Sequence, residues 1–188
     1  MQPQQISSFS QRSLVRENRC LLFDWGDTVM RTFPGYSGPM ADWPRVEAVK
    51  NAPKALAALH ETWMLALATN AAESNEEQIW KALRRVGLDR YIDKVYCFRK
   101  IGHKKPSQAF FAYALDDLTL DASSVFMVGD DFESDVDGAI RCGIRAIWFN
   151  EHSLEERRAE MYRTVHDLLS LPEVLRTFDN YHPLRTAP

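Results

Sequence analysis

Four places in the chain carry residues whose types allow chemistry. They are Asp24 with Asp27 and Thr28, Thr69 with Asn70, Lys105, and Asp130 with Asp131. Asp24 ends the apolar run Cys20-Leu21-Leu22-Phe23. A carboxylate in that position serves as a helix cap, an ion-pair partner, a metal ligand or a nucleophile, and the residues alone leave all four roles open. A hydroxyl after a strand, as at Thr69, is most often a helix N-cap. A lysine before a proline, as at Lys105-Pro106, is most often a solvated side chain. Asp130-Asp131 is more informative. Adjacent carboxylates repel, and protonation or a divalent cation relieves the repulsion. Asp135 and Asp137 follow at the distance of the next helical turn.

These residues sit at the ends of short apolar runs. Runs at 20–23, 63–68, 94–98, 125–128 and 145–149 read as strands, each too short for a helix and unbroken by polar residues. Between them lie helical patterns. Pro53 suits the first turn of a helix over 53–60. Ile79, Leu83 and Val86 set a helix over 74–86 that Gly87 stops. Phe110/Ala114 and Phe111/Leu115 stack in a helix after Pro106. A helix over 133–142 stops at Gly143. Ser153 and Glu156 have the spacing of a capping box for a helix over 154–161. The chain is helical again around 167–169 and after Pro172. Residues 29–45 are rich in Pro, Gly and aromatics and read as a loop. Unbroken strands alternating with amphipathic helices indicate an α/β fold with a parallel sheet covered on both faces. Such sheets bind ligands at the carboxyl ends of their strands. Asp24, Thr69 and Asp130 all fall at such ends, and packing does not explain that coincidence.

The bulk composition narrows the function. The chain has 188 residues, with 26 Asp+Glu against 23 Lys+Arg and 45% hydrophobic residues. This is one ordinary globular domain. Slight acidity gives no long-range attraction to nucleic acid or an anionic membrane, so neither is expected as a partner. No apolar run reaches membrane-span length. The polar start shows no secretory signal, and three widely spaced cysteines read as reduced thiols, so a cytoplasmic location is expected.

Taken together, the motifs LLFDWGDTV (21–29), LALATN (65–70), HKKPSQAFF (103–111) and VFMVGDDFESDVDGA (125–139) resemble those of the haloacid dehalogenase-like (HAD) hydrolase superfamily, in the family's order. The resemblance covers about residues 19–178, with tails expected at 1–18 and 179–188. It implies a three-layer, Rossmann-like parallel sheet and, in most members, Mg²⁺-dependent phosphoryl transfer through an aspartyl-phosphate. By this resemblance Asp24 is the nucleophile. Thr69, Asn70 and Lys105 hold the phosphate. Asp24, the Gly26 carbonyl, Asp130 and Asp131 bind Mg²⁺, and Thr28 and Asp135 support the site. A phosphorylated substrate is the expected partner, and a homo-oligomer is one way to close the site.

One position departs from the pattern. The usual first motif is Asp-x-Asp-Gly-Thr, whereas this chain reads Asp24-Trp25-Gly26-Asp27-Thr28. In the family the second aspartate protonates the leaving oxygen and then activates water. Gly26 stands there, and Asp27 is the only nearby substitute. The expectation is a slow phosphatase, or one restricted to leaving groups that need little protonation. The alternatives are an impaired relative that binds phosphate or protein, and a dehalogenase- or phosphonatase-like hydrolase. Dehalogenases lack the acidic pair kept here. Phosphonatases need a lysine on a sizeable cap, and Lys50 and Lys54 come with no such cap. The lengths between motifs leave no room for a large cap. The 29–45 loop, with Phe33, Tyr36 and Trp43, is left as a flap-like element.

Overall fold

The computed structural model describes Arg16 and residues 18–179. The expected tails at 1–18 and 179–188 otherwise lie outside the described residues. In chain order the regular elements are β1 (Cys20–Phe23), α1 (Ala52–His60), β2 (Met64–Thr69), α2 (Glu76–Val86), β3 (Lys94–Cys97) and the single turn α3 (Phe98–Ile101). They continue with α4 (Gln108–Leu118), β4 (Val125–Gly129), a wide helical turn over Phe132–Asp137 running into α5 (Gly138–Ile140), β5 (Arg145–Phe149), β6 (Tyr162–Val165) and α6 (Leu171–Asp179). All six strands are parallel, in the order β3-β2-β1-β4-β5-β6.

The alternation of side chains along each strand splits the core in two. Leu21, Phe23, Leu65, Leu67, Phe126 and Val128 face α1, α2 and α6. Cys20, Leu22, Ala66, Ala68 and Met127 face α4 and the 132–140 helix. This is the expected three-layer α/β sandwich. The connections add only short turns, at Met40–Asp42, Asp89–Tyr91, Ala122–Ser124 and Leu168–Ser170, and there is no cap domain among the described residues. The register pairs Phe23 with both Leu67 and Val128, so Asp24, Thr69 and Asp130 leave the sheet along one edge. Strand order reverses at β1, which places the crevice above Asp24.

Several local expectations need correction. α2 starts at Glu76, because Asn75 caps it. The Asn75 side chain accepts from the Gln78 N–H, and the Gln78 side chain accepts from the Asn75 N–H. The expected helix over 154–161 does not form. Ser153 instead closes a tight turn with Asn150, whose Nδ2 donates to its hydroxyl and whose Oδ1 accepts its N–H. Leu154, which a packed helix would bury, is 93% exposed. The chain then forms β6, an edge strand in which only Val165 is buried. The three cysteines are free. Among the described residues no helix is long and apolar enough to cross a membrane.

Candidate active site

Asp24 is held at the end of β1 by its N–H, which donates to the Val128 carbonyl at 2.8 Å. Its Oδ1 accepts from Lys105 Nζ at 2.7 Å, and the same ammonium donates to Asp135 Oδ1 at 2.6 Å. Lys105 is buried, so the solvated reading of this lysine fails. Asn70 fixes it from β2. The Asn70 amide donates to the Lys105 carbonyl at 2.9 Å and accepts the Lys105 N–H at 2.7 Å. The Asn70 side chain, expected to touch phosphate, positions the Lys105 peptide with one N–H and its carbonyl oxygen.

Asp135 is buried and fully engaged. Besides Lys105 it accepts from the Asp131 N–H at 3.1 Å and from the Ser134 hydroxyl at 3.4 Å. Its position requires a glycine below it, since a Cβ on Gly129 would lie 2.0 Å from Asp135 Oδ2. Gly138 likewise lets the helix approach Pro106, where a Cβ would stand 2.8 Å from the proline Cβ. Burial alone would lower the Lys105 pKa, but the Asp24 and Asp135 carboxylates outweigh it and hold it above the usual lysine value. Burial pushes the Asp135 carboxyl up against the pull of Lys105. With a protonated amine at 2.6 Å, the geometry favours the ionised acid.

One carboxylate oxygen each from Asp24, Asp130 and Asp135 lie within 4.8 Å of one another. Asp130 is aimed by the buried Thr28, whose hydroxyl donates to Oδ1 at 3.1 Å, and by the Trp148 indole, which donates to its backbone carbonyl at 2.8 Å. Burial, reinforced by the Asp24 charge, pushes the Asp130 carboxyl up to about 6. Asp131 is not in this cluster. Its Oδ1 accepts the Ser134 N–H at 2.8 Å and caps the following helix. Of the expected ligand set of Asp24, Gly26, Asp130 and Asp131, Asp24 and Asp130 lie in the acidic cluster and Asp131 does not, while Asp135 lies beside them. Asp24 accepts from Lys105 through Oδ1, and Asp130 accepts from Thr28 through Oδ1, whereas both oxygens of Asp135 accept hydrogen bonds. The donors are all hard carboxylate oxygens, a set that fits Mg²⁺.

Asp27 does not face this cluster as a ready acid. It has a left-handed backbone (φ 53°), and its carboxylate accepts both the N–H and the hydroxyl of Thr32. It behaves as a turn residue. Thr69 is buried, and its Oγ1 accepts the Ala71 N–H at 3.1 Å, which leaves its own O–H to donate.

A pocket of about 290 Å³ opens beside Asp24, lined by Trp25, Gly26, Met40, Trp43, Thr69, Asn70 and the 71–74 turn. The 29–45 segment forms its wall and is tied down. Arg85 of α2 donates to the carbonyls of Ala41 and Trp43, Lys81 pairs with Asp42, and the Gly38 N–H donates to Glu73. Met40 and Glu73 escaped the sequence reading. Trp25 and Gly129 left a signal only as parts of motifs, the one beside Gly26 and the other directly before an acidic pair.

The sequence matches the family model described as haloacid dehalogenase-like hydrolase over residues 5–149. The chain belongs to this family. Among solved structures, this hydrolase resembles an uncharacterized protein from Listeria monocytogenes serotype 4b, with a TM-score of 0.76, 30% identity, and 87% and 99% of the two chains covered. It is also similar to a HAD phosphatase from Thermococcus onnurineus, with a TM-score of 0.59, 26% identity, and 69% and 59% covered. Of the curated relatives, the pyrimidine 5'-nucleotidase YjjG of Escherichia coli (strain K12) is 40% identical over 75 residues, which are 39% of this chain and 33% of that one. The chain thus spans about a third of the length of that relative.

Proposed function

We propose that this hydrolase is a Mg²⁺-dependent phosphohydrolase acting through an aspartyl-phosphate at Asp24, in the cytoplasm. The observation that carries the reading is the buried Lys105 ammonium, held between Asp24 and Asp135 at 2.7 and 2.6 Å. A carboxylate attacking an anionic phosphate ester needs fixed positive charge at the point of attack, and Lys105 supplies it without reorganisation. Asp24 Oδ2 forms a bond to phosphorus while the ester P–O bond breaks. Water then attacks phosphorus, releases phosphate and returns the carboxylate. The Thr69 hydroxyl donates to a phosphoryl oxygen. Asp24 and Asp130 would hold Mg²⁺, which neutralises phosphoryl charge when bound. The phosphatase and nucleotidase names of the curated relatives support the same reading.

The assay is p-nitrophenyl phosphate turnover with Mg²⁺ and with EDTA. Metal-dependent turnover is expected. Halide release from 2-haloacids in EDTA would point instead to a dehalogenase. No turnover of either would favour a phosphate- or protein-binding relative, a reading that Gly26 and the engagement of Asp27 by Thr32 keep open.

With no general acid at position 26, aryl and acyl phosphates should turn over faster than alkyl phosphates. Comparable rates on both would count against this. Restoring the acid needs two changes. A Cβ at Gly26 would meet Thr32 Cγ2 at 3.0 Å. Thr32→Ser removes that methyl and keeps the hydroxyl bonded to Asp27. The Gly26→Asp/Thr32→Ser double variant should raise alkyl phosphate turnover by about 10²-fold or more. Steady-state kinetics check this, and an unchanged rate would show that another group already delivers the proton.

A further inference from the structure

We propose that the pocket beside Asp24 selects phosphate esters of uncharged, single-ring aromatic alcohols, with Trp43 and Trp25 as the specificity residues. This rests on Asp24 as the nucleophile and names the leaving group its pocket takes. At about 290 Å³ the pocket is at the small end for ligand sites, which run roughly 300–1,000 Å³. It holds one ring rather than a large scaffold.

The Trp43 ring is fixed before any ligand arrives. Its Nε1–H donates to the carbonyls of Ser37 and Gly38, both at 3.1 Å, and the Tyr36 ring packs edge-on at 5.5 Å. Arg85 Nη1 donates to the Trp43 carbonyl at 2.6 Å. An aromatic wall already held in place costs little ordering when a flat group docks on it.

Trp25 adds a second, independent sign of a ligand. It lines the same pocket and is 3% exposed, and its Nε1 has no hydrogen-bond partner among the described residues. Buried donors are nearly always paired, so this orphaned donor on a pocket-lining residue is the candidate partner for an acceptor on the ligand, reached by a small shift of the ring. Glu73 sets the charge. Its Oε2 accepts the Gly38 N–H at 3.0 Å, and Oε1 has no partner among the described residues. A carboxylate at this wall repels a second anionic group, so the leaving group is neutral apart from its ester. An aromatic alcohol also leaves readily without a proton donor, which suits a site with glycine at position 26.

The test compares p-nitrophenyl phosphate with acetyl phosphate. Neither leaving group needs much protonation, and only the first has a ring. The ratio of kcat/KM for the two should fall about tenfold in Trp43→Leu, through KM. It should also fall in Trp25→Phe, which keeps a ring and deletes the donor. Thermal midpoints show that both variants fold, and Trp25→Phe decides the matter if Trp43→Leu does not. An unchanged ratio in folded variants overturns the proposal. If the wild-type protein hydrolyses neither compound, the nucleophile reading fails separately. The pocket is then tested by calorimetric titration with p-nitrophenol. Binding that weakens in either variant upholds it, and absence of binding to the wild type overturns it.

Discussion

Replacing Lys105 by methionine will cost this hydrolase both stability and chemistry. The Lys105 and Asp135 side chains are each 1% exposed, and that of Asp24 is 15% exposed. Methionine fills the volume of the lysine stem but leaves two buried carboxylates facing each other without a cation. Removing one partner of a buried ion pair costs about 3–5 kcal/mol. Urea unfolding at pH 7 should show a loss of that order. The stabilisation has a defined pH window. Asp24 and Asp135 raise the Lys105 pKa above its usual 10.5. The stability it gives is thus fully present below that value and is lost only as pH rises beyond it. In the variant, by contrast, acid should recover stability relative to the wild type, because Asp135 is free to take a proton. Turnover should drop by at least about 10²–10³-fold, the usual cost of deleting one fixed donor at developing charge. Wild-type stability in Lys105→Met would mean that the triad is not closed in solution.

Gly129→Ala should disable the site without touching a catalytic group. The added methyl carbon would sit 2.0 Å from Oδ2 and 2.3 Å from Cγ of Asp135, so the carboxylate must leave its place. Asp135 then releases both Lys105 Nζ and the Asp131 N–H. Crowding a packed core costs about 1–3 kcal/mol, and losing part of a buried ion pair adds to it. Turnover should fall toward that of Lys105→Met. The mechanism is tested by a double-mutant cycle. Because the methyl acts through Asp135, Gly129→Ala and Asp135→Ala should be strongly non-additive in unfolding free energy, with the methyl costing little once Asp135 is gone. Additive effects would show that alanine acts elsewhere.

The fold was legible because the four inner strands, β1, β2, β4 and β5, are continuous apolar runs, which only a sheet covered on both faces makes sense of. β6 was not, because an edge strand buries little. Tyr162, Arg163 and Thr164 are half-buried, and their side chains show no pattern. The expected helix over 154–161 failed for a related reason. Its capping spacing was present, but Leu154 has nothing to pack on. Asp24 and Lys105 were legible as a site because their motifs occur in order along the chain. The partners of the secondary polar residues were not, since each depends on the direction of one side chain. Asn70 grips the Lys105 peptide, Asp131 caps a helix and Asp27 binds Thr32. The same residue types at the same spacing would serve equally well facing the phosphate. The pocket wall was least legible, because Met40 and Trp43 lie in a loop whose course depends on Arg85 of α2, far along the chain.

The central claim is covalent attack by Asp24. With Gly26 in place of the residue that activates water, breakdown of the acyl phosphate should lag its formation, so the intermediate should accumulate with a burst of p-nitrophenol. The direct measurement is intact-protein and peptide mass spectrometry after acid quench of a reaction with p-nitrophenyl phosphate and Mg²⁺. The account predicts one added phosphoryl group on the peptide holding Asp24, lost on treatment with hydroxylamine and absent in Asp24→Asn. Undiminished turnover in Asp24→Asn, or the phosphoryl group on another residue, would contradict it.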